Sequence, residues 1–255
     1  MIAGDCLVKK KETLKVLLLQ IRRDPQVRRE EHESFSDYSG LAPDQIDIHN
    51  VFDNPRFEPD IVDGYDALFV GGASDASVLE PEVYTFVPYG EKLLRSCIDT
   101  GLPVFASCFG FQLVVTALGG IITRDTENFE MGTVPISLRE IAHNDPVFRG
   151  VPEGFPAVSV HQEKTMLPPE GCVELAYTAE CCHSFKVIGK PFWAFQFHPE
   201  VDKARLVERL TFYKEKYTDG DGHLDEVLAS AVETPDSNGL VRNFVDRVLI
   251  DGEER

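Results

Sequence analysis

The sequence predicts an α/β fold: an open, mostly parallel sheet with helices on both faces and antiparallel strands at one edge. In the first half of the chain, short apolar runs alternate with segments of helical period, as in strand–helix–strand units. In the second half, apolar runs follow one another with only turns between them, which is typical of antiparallel strands. Ligands bind open sheets of this kind at the carboxyl ends of the parallel strands, so we expect the functional site there.

The predicted parallel strands lie in the first half of the chain. Residues 14–21 form a strongly apolar run that fits a central strand, and residues 47–51 and 65–70 fit the second and third strands. Residues 87–100 carry apolar side chains at helical spacing and lead directly into another buried strand at 102–106. This order of elements is the one that a parallel sheet with helical crossovers requires.

The second half of the chain supplies the predicted antiparallel strands. Residues 131–138 form one strand, and residues 172–178 and 183–188 are expected to pair with each other. A turn with a short helix is expected at 143–148. A longer helix is expected at 204–217, where apolar residues recur at helical spacing.

We divide the chain into an N-terminal tail (residues 1–13), one domain (14–217) and a C-terminal extension (218–255). The length suits one domain with an appendage. The extension is expected to carry one amphipathic helix, over 239–250, packed on the domain. The Asp-Gly repeat at 219–222 lacks the later ligands of a calcium loop, so no calcium site is predicted.

Charge and composition exclude several classes of partner. The formal net charge of −18 argues against nucleic acid and anionic membranes, since both would repel the chain. No apolar run approaches the roughly 20 residues that a membrane-spanning helix needs, and the N-terminus lacks the pattern of a signal peptide. The six cysteines show no zinc-ligand spacing, so we expect a reduced, cytoplasmic protein.

Charged side chains are dense between residues 22 and 39. A helix is expected to begin there after Pro25, with Phe35 and Tyr38 facing inward. Three interpretations of this segment stay open: a solvated helix face, part of the rim of a substrate site, or a contact with a partner.

Cys108 lies where the strand at 102–106 turns sharply into a helix. Such a turn is cramped, and the small residues Ala106, Ser107 and Gly110 suit it. The turn also makes the side chain accessible at the N-terminal end of the helix, where a thiolate is favoured and a nucleophile can act. The alternative is a structural cysteine, because free cysteine is often buried.

A second chemical feature ends the apolar strand at 192–198. His198 is followed by Pro199 and Glu200, and residues two apart in an extended segment point to the same side. The carboxylate can therefore orient the imidazole while the other ring nitrogen faces a thiol. A lone histidine at a strand end is usually a surface or capping residue, but this one has a carboxylate beside it.

The stretches Cys108-Phe109-Gly110-Phe111-Gln112 and Gln196-Phe197-His198-Pro199-Glu200 together resemble the class I, triad-type glutamine amidotransferase family. The resemblance covers roughly residues 14–209 and implies a flavodoxin-like sheet with Cys108, His198 and Glu200 as catalytic triad. The family's usual elbow is Gly-x-Cys-x-Gly-His-Gln. Here Ala106 stands in place of the first glycine and Phe111 in place of the histidine, and neither departure removes a catalytic group.

The resemblance also implies roles for residues around the triad. The N–H groups of Gly72 and Phe109 would form the oxyanion hole, with Gly71 as the neighbour of Gly72. Gln112 and His161 would border the glutamine pocket. The alternatives are a plain tight turn for the two glycines and a structural histidine for His161. No metal and no cofactor is expected.

The implied reaction is hydrolysis of the γ-amide of glutamine through a γ-glutamyl thioester, releasing glutamate and ammonia. No glycine loop with a lysine that would cradle phosphates occurs in the sequence. The ammonia would therefore pass to a separate synthetase or acceptor subunit, or the protein would be a free-standing hydrolase.

Two other functions stay open. A γ-glutamyl peptidase of the plant type has a Leu-His-Gln loop and a C-terminal helix, and these are similar to Val160-His161-Gln162 and to the final helix here. A non-catalytic binding protein of the same fold is the other alternative, although all three triad residues are present.

Overall fold

The computed structural model describes residues 9–212 and 223–253 of the chain. Its strands are β1 (Val16–Ile21), β2 (Ile46–Asn50), β3 (Ala67–Ala73), β4 (Val104–Ser107), β5 (Thr123–Arg124), β6 (Glu130–Leu138), β7 (Phe155–His161), β8 (Glu163–Lys164), β9 (Cys172–Tyr177), β10 (Cys182–Val187) and β11 (Phe192–Phe195). Its α-helices are α1 (Pro25–Ser39), α2 (Val87–Thr100), α3 (Phe109–Ala117), α4 (Lys203–Phe212), α5 (His223–Ser230) and α6 (Pro235–Asn243).

Nine of these strands form one sheet in the order β2-β1-β3-β4-β11-β10-β9-β6-β7. The first five pair in parallel, and the remaining pairings are antiparallel. The short strands β5 and β8 pair separately. The predicted mixed sheet is therefore confirmed. Its parallel half brings the carboxyl ends of β3, β4 and β11 next to one another.

Side chains alternate between two apolar layers, one on each face of the sheet. On one face, Phe105 stacks on Phe195 with ring centroids 4.4 Å apart, and Phe244 lies against both Phe69 and Phe105. The other face carries α2 and α3, whose apolar residues cover Val70, Val104 and their neighbours. Burial on both faces explains why these strands are continuous apolar runs in the sequence.

Helix α1 packs one face against the sheet. Asp24 caps it by accepting hydrogen bonds from the N–H groups of Gln26 and Val27. Phe35 is fully buried and stacks on Phe69 at 5.1 Å. Glu31, one turn earlier on the same face, is also fully buried and pairs with Arg22. The solvated-face interpretation therefore fails for Glu31, but it holds for the outward side of the helix, where Arg29 and Glu33 are exposed.

The C-terminal region departs from the single helix predicted at 239–250. Helix α6 begins earlier, at Pro235, because proline fits the first helical position, and it continues as π-helical turns over Phe244–Ile250. Helix α5 was not predicted. Val248 and Leu249 are fully buried against the sheet. The domain boundary at 217/218, the Asp-Gly repeat at 219–222 and most of the predicted tail lie outside the described residues, so the domain division stays a prediction.

Two smaller elements also differ. The short helix predicted at 143–148 is instead a 3₁₀ helix at Glu140–Asn144. It ends there because Asp145 caps the turn that follows. The Asp145 carboxylate accepts hydrogen bonds from the backbone N–H of Val147 and from the indole N–H of Trp193. Helix α4 starts at Lys203 as expected within one residue, and residues 213–217 of the predicted helix are not described. Within the described ranges, no helix is long and apolar enough to cross a membrane.

Candidate active site

Cys108 occupies a strained turn between β4 and α3. Its φ of +49° and ψ of −97° make it the one non-glycine residue with positive φ in the described part of the chain. Such a backbone conformation costs about 1–3 kcal/mol and persists only where surrounding contacts impose it. Here the Cys108 N–H donates to the carbonyl of Phe195 at 2.7 Å, and the Cys108 carbonyl accepts from the N–H of Gln112 at 3.1 Å.

Small residues around the turn let α3 approach the sheet closely. A Cβ added at Gly110 would lie 2.8 Å from Val70 Cγ1 and 3.1 Å from Ala106 Cβ, so no larger residue fits at 110 without displacement. Ala106 itself is buried without distorting the β4 pairing. Phe111 lies behind the elbow, fully buried against Phe185. The two departures from the usual elbow motif are thus absorbed by core packing.

His198 and Glu200 follow β11, the parallel neighbour of β4. Nδ1 of His198 donates to Glu200 Oε1 at 2.7 Å, and both side chains are buried. The backbone N–H of His198 donates to the carbonyl of Val158 at 2.8 Å, which fixes the backbone of the turn. Because Glu200 takes Nδ1, Nε2 is the nitrogen left for Cys108.

His198 and Glu200 each stabilise the charged form of the other. Burial lowers the pKa of His198, but the negative charges of Cys108 and Glu200 outweigh burial and raise that pKa to about 9. Burial acts to raise the pKa of Glu200, yet the His198 imidazolium holds it below the usual range. The arrangement therefore favours the imidazolium form of His198 at neutral pH.

Gly72 lies against the His198 ring. A Cβ added at Gly72 would come within 2.6 Å of His198 Cε1 and 2.9 Å of Arg22 Nη2, so the ring can occupy its position only beside a glycine. The oxyanion role of the Gly72 N–H stays a prediction. Gly71 has its open side against the Glu31 carboxylate, where an added Cβ would lie 2.6 Å from Oε1. Gly71 thus has a packing role against Glu31, and its predicted contact with substrate stays a prediction.

A buried ion pair, Arg22 with Glu31, lies behind the histidine and was not predicted. Arg22 Nε donates to Glu31 Oε1 at 2.8 Å, and Nη1 donates to Ser74 Oγ. Burial disfavours the charged guanidinium, but Glu31 and then Glu200 raise the pKa of Arg22. The sequence signal was the position of Glu31, one helical turn before the inward-facing Phe35.

A cleft of about 420 Å³ opens above Cys108. Cys108, Phe109, Gln112 and His161 all line it. Gln112 lies one turn into α3, and its Nε2 donates to the Glu163 carbonyl at 3.0 Å. The predicted substrate-site residues Gln112 and His161 are thus brought to the same cavity as the thiol.

The mouth of the cleft is held by a polar cluster that sequence reasoning missed. Arg124 donates to the carboxylates of Glu80 and Glu163 at 2.7 and 2.8 Å, and Ser77 donates to Glu163 at 2.6 Å. These residues come from three separate loops or strands, so no local spacing could indicate the cluster. It ties β5 and β8 to the loop after β3.

His161 lies at the end of β7, with its side chain almost completely buried. Its Nε2 lies 3.0 Å from Glu130 Oε2, so that nitrogen is engaged away from the cleft. Burial lowers the pKa of His161 and favours the neutral ring. The structure therefore places His161 in the cleft wall, and a direct contact with substrate stays a prediction.

The fold and this Cys–His–Glu group define an α/β protein of the thiol-triad type. The profile of the family described as glutamine amidotransferase class-I matches residues 49–214, and the chain belongs to this family. A GMP synthase [glutamine-hydrolyzing] from Thermotoga maritima is 30% identical over 177 residues, covering 69% of this chain and 32% of that protein. A protein from Methanococcus maripaludis, named as one subunit of GMP synthase [glutamine-hydrolyzing], is 35% identical over 105 residues, or 41% of this chain and 53% of that one.

Solved structures support the fold. A glutamine amidotransferase from Thermotoga maritima superposes with a TM-score of 0.75 at 19% identity, covering 92% of this chain and 98% of that chain. A glutamine amidotransferase from Methylobacillus flagellatus gives a TM-score of 0.65 at 16% identity, with 92% and 94% coverage. The chain spans about a third of the length of the Thermotoga GMP synthase and about half of the Methanococcus protein.

Proposed function

We propose that this chain hydrolyses the side-chain amide of glutamine to glutamate and ammonia, with Cys108 as nucleophile. The observation that carries the proposal is the position of Cys108 on a strained elbow beside a buried imidazole that Glu200 orients at 2.7 Å. A strained backbone at a nucleophile is retained when it presents the reacting atom. Family membership supports the same chemistry.

The first half of the reaction follows from the charges. The Cys108 thiolate attacks Cδ of the substrate amide, and the carbonyl electrons move to oxygen. When the oxyanion collapses, the C–N bond breaks and His198 gives its proton to the departing nitrogen, which leaves as ammonia. Cys108 then carries a γ-glutamyl thioester and His198 is neutral.

The second half restores the enzyme. Neutral His198 takes a proton from water, the resulting hydroxide attacks the thioester, and the C–S bond breaks. The thiolate leaves beside a protonated His198, and the carboxyl proton of the product ends on ammonia as ammonium. Glu200 stays ionised throughout and fixes the ring, since its pKa is held low by His198.

The oxyanion of both steps needs donors next to Cys108. The Phe109 N–H belongs to the first turn of α3, where backbone N–H groups have no partner within the helix, and Phe109 lines the cleft. We assign it as one donor and the Gly72 N–H as the other. Each such donor contributes about 3–4 kcal/mol to transition-state stabilisation.

The ammonia would serve a second active site on a partner. The relatives named above are GMP synthases, and the one from Methanococcus is named as one subunit. We infer that this chain supplies ammonia to a synthetase or acceptor subunit, and that its glutaminase rate rises when that partner is bound.

A γ-glutamyl peptidase is the second candidate. The cleft of about 420 Å³ lies within the roughly 300–1,000 Å³ of small-molecule sites and leaves room beyond Cys108 for a leaving group larger than ammonia. The same triad chemistry would then release an amino acid or amine in place of ammonia.

The test is glutamate release from glutamine and from a γ-glutamyl dipeptide, measured in parallel. Cys108→Ala should abolish both, and Cys172→Ala, at a half-buried cysteine that does not line the cleft, should change neither. Faster glutamine turnover supports the amidotransferase, and faster dipeptide turnover supports the peptidase. Absence of glutamate from both substrates would overturn the proposal for the isolated chain.

A further inference from the structure

A second group of chemically reactive side chains lies at the cleft wall, and none of its members makes or breaks a bond in the proposed reaction. It consists of Glu130, His161, Cys181 and His183. One side-chain atom from each (a carboxylate oxygen, two imidazole nitrogens and the thiol sulfur) lies within 4.8 Å of all the others. We call this group the Glu130 cluster.

The sheet register brings the four residues together from distant parts of the sequence. Glu130 and His161 are direct partners across the antiparallel β6–β7 pair. Cys181 and His183 are two residues apart at the start of β10, so they point to the same side. Cys182 between them joins the apolar layer on the opposite face. The sequence showed no metal-ligand spacing because the four positions come from three separate segments.

The contacts centre on one oxygen. Oε2 of Glu130 lies 3.0 Å from His161 Nε2, 2.7 Å from His183 Nε2 and 3.8 Å from Cys181 Sγ. The other oxygen of Glu130 accepts a hydrogen bond from Thr178 Oγ1 at 2.9 Å. His183 is fully buried, and His161 and Cys181 are nearly so.

We propose that the Glu130 cluster binds a zinc ion. Carboxylate, imidazole and thiolate are the ligands that Zn²⁺ takes in proteins, and four of them complete a tetrahedral shell. Zn²⁺ with one carboxylate and one thiolate has no net charge, so the complex can be buried without an unpaired charge.

The distances from Glu130 to the other three ligand atoms are close to those of a four-coordinate site, and the remaining pairs lie within 4.8 Å. Bonds of about 2.0–2.3 Å to Zn²⁺ place ligand atoms roughly 3.3–3.8 Å apart. The Glu130–Cys181 pair already has this separation at 3.8 Å. The two Glu130–histidine distances must widen by about half an ångström from hydrogen-bond length, which rotation of the carboxylate can provide.

The protonation changes that accompany binding indicate a moderate affinity for zinc. On binding, the Cys181 thiol releases its proton, and each histidine carries its proton on Nδ1 while Nε2 bonds the metal. Both Nδ1 atoms are buried without a hydrogen-bond partner. Ligating histidines normally donate that proton, and loss of such a partner lowers metal affinity about 10–100-fold. We therefore expect a dissociation constant of roughly 1 µM, weaker than that of structural zinc sites.

The competing arrangement is a metal-free hydrogen-bond cluster. Both histidines would then be neutral and donate from Nε2 to Glu130, and their bare Nδ1 atoms would need no acceptor. The two arrangements make opposite predictions for metal binding, because Zn²⁺ can bind only if both Nε2 protons leave the Glu130 carboxylate, and the hydrogen-bond cluster retains them.

The test is titration of the full chain with Zn²⁺ and with Co²⁺, under a reductant that does not bind metals. We expect one Zn²⁺ per chain and, with Co²⁺, the near-ultraviolet charge-transfer band of a thiolate ligand. Cys181→Ala and His183→Gln should each weaken binding at least about tenfold. Cys182→Ala, its neighbour on the other face, and His49→Gln on β2 should not.

Three results would overturn the proposal. The first is that the unaltered protein shows no saturable binding up to about 100 µM metal. The second is a cobalt complex without the thiolate band, and the third is equal metal binding by the Cys181→Ala and Cys182→Ala proteins. Near-ultraviolet circular dichroism establishes that each variant is folded. If the Cys181→Ala protein does not fold, the cobalt spectrum of the unaltered protein decides the question.

Discussion

Nδ1 of His198 lies 2.7 Å from Glu200 Oε1, and both groups are buried at the end of β11. The pair takes its position from β11, which lies directly beside β4, the strand that ends at the Cys108 elbow. Two adjacent parallel strands thus deliver the nucleophile and the histidine to the same edge of the sheet, where Glu200 keeps the ring in one tautomer.

Glu200→Gln should lower kcat for glutamine by about 10²–10⁴-fold with a smaller change in KM. The neutral amide no longer stabilises the imidazolium and permits the wrong tautomer, while the cleft that binds substrate keeps its lining. Steady-state glutamate release measures both constants. Glu140→Gln, at an exposed position, is the matched control. An unchanged kcat in the Glu200 variant would remove Glu200 from the mechanism.

The pH dependence should show a falling limb at about pH 9. The pKa of His198 is raised from 6.5, so the imidazolium that protonates the leaving group persists to about that pH and is then lost. The same shift stabilises the folded state fully below pH 6.5, and this stabilisation disappears as the pH rises through about 9.

The pH dependence of the rate of Cys108 alkylation is an independent measure of the pKa of His198. His198→Gln should remove the limb near pH 9 from that profile. A limb near pH 6.5 in the unaltered protein would contradict the imidazolium assignment, because it would mean that His198 titrates at its ordinary value.

Gly72→Ala should lower kcat about 100-fold, because a Cβ there would come within 2.6 Å of His198 Cε1 and displace the ring. The crowding should also cost about 1–3 kcal/mol of unfolding free energy. Gly239→Ala, in α6, is the control: no atom lies within 4 Å of the added Cβ, and the change should be neutral or slightly stabilising. Equal effects of the two substitutions would refute the packing role of Gly72.

Arg22→Met should destabilise the fold by about 3–5 kcal/mol, because it leaves the Glu31 carboxylate buried without its partner. The double variant Arg22→Met/Glu31→Leu should recover most of that loss, since an apolar pair of similar size replaces the buried ions. Urea unfolding of the four proteins of this cycle measures the coupling. Additive losses would show that the two side chains do not stabilise each other.

Local signals were sufficient for the central elements of the fold. The helix at Val87–Thr100 was predicted at its observed bounds because its apolar spacing is regular and Gly101 ends it with a φ of +75°. The paired strands β9 and β10 and the Cys108 elbow were also predicted from short apolar runs and their flanking residues. In each case the pattern that indicated the element lies close along the chain, although the Cys108 turn is also held by a hydrogen bond to the distant Phe195.

The remainder depended on contacts between distant segments. The spacing of Glu31 from Phe35 indicates that Glu31 faces inward, but only the packing of the helix on the sheet shows that it meets Arg22 and Gly71 there. The Glu130 cluster needs the β6–β7 register, which no local pattern in the sequence indicates. The early start of α6 at Pro235 lies outside the predicted helix because residues 235–239 carry no apolar period, which begins only at Leu240.

Hydroxylamine trapping tests the central claim most directly. If glutamine forms a γ-glutamyl thioester on Cys108, added hydroxylamine intercepts it, and γ-glutamyl hydroxamate accumulates at the expense of glutamate. We predict this partition for the unaltered protein and for Cys172→Ala, and no hydroxamate from Cys108→Ala. Glutamate release that persists in Cys108→Ala, or that continues unchanged without hydroxamate as hydroxylamine is added, would contradict the thiol mechanism.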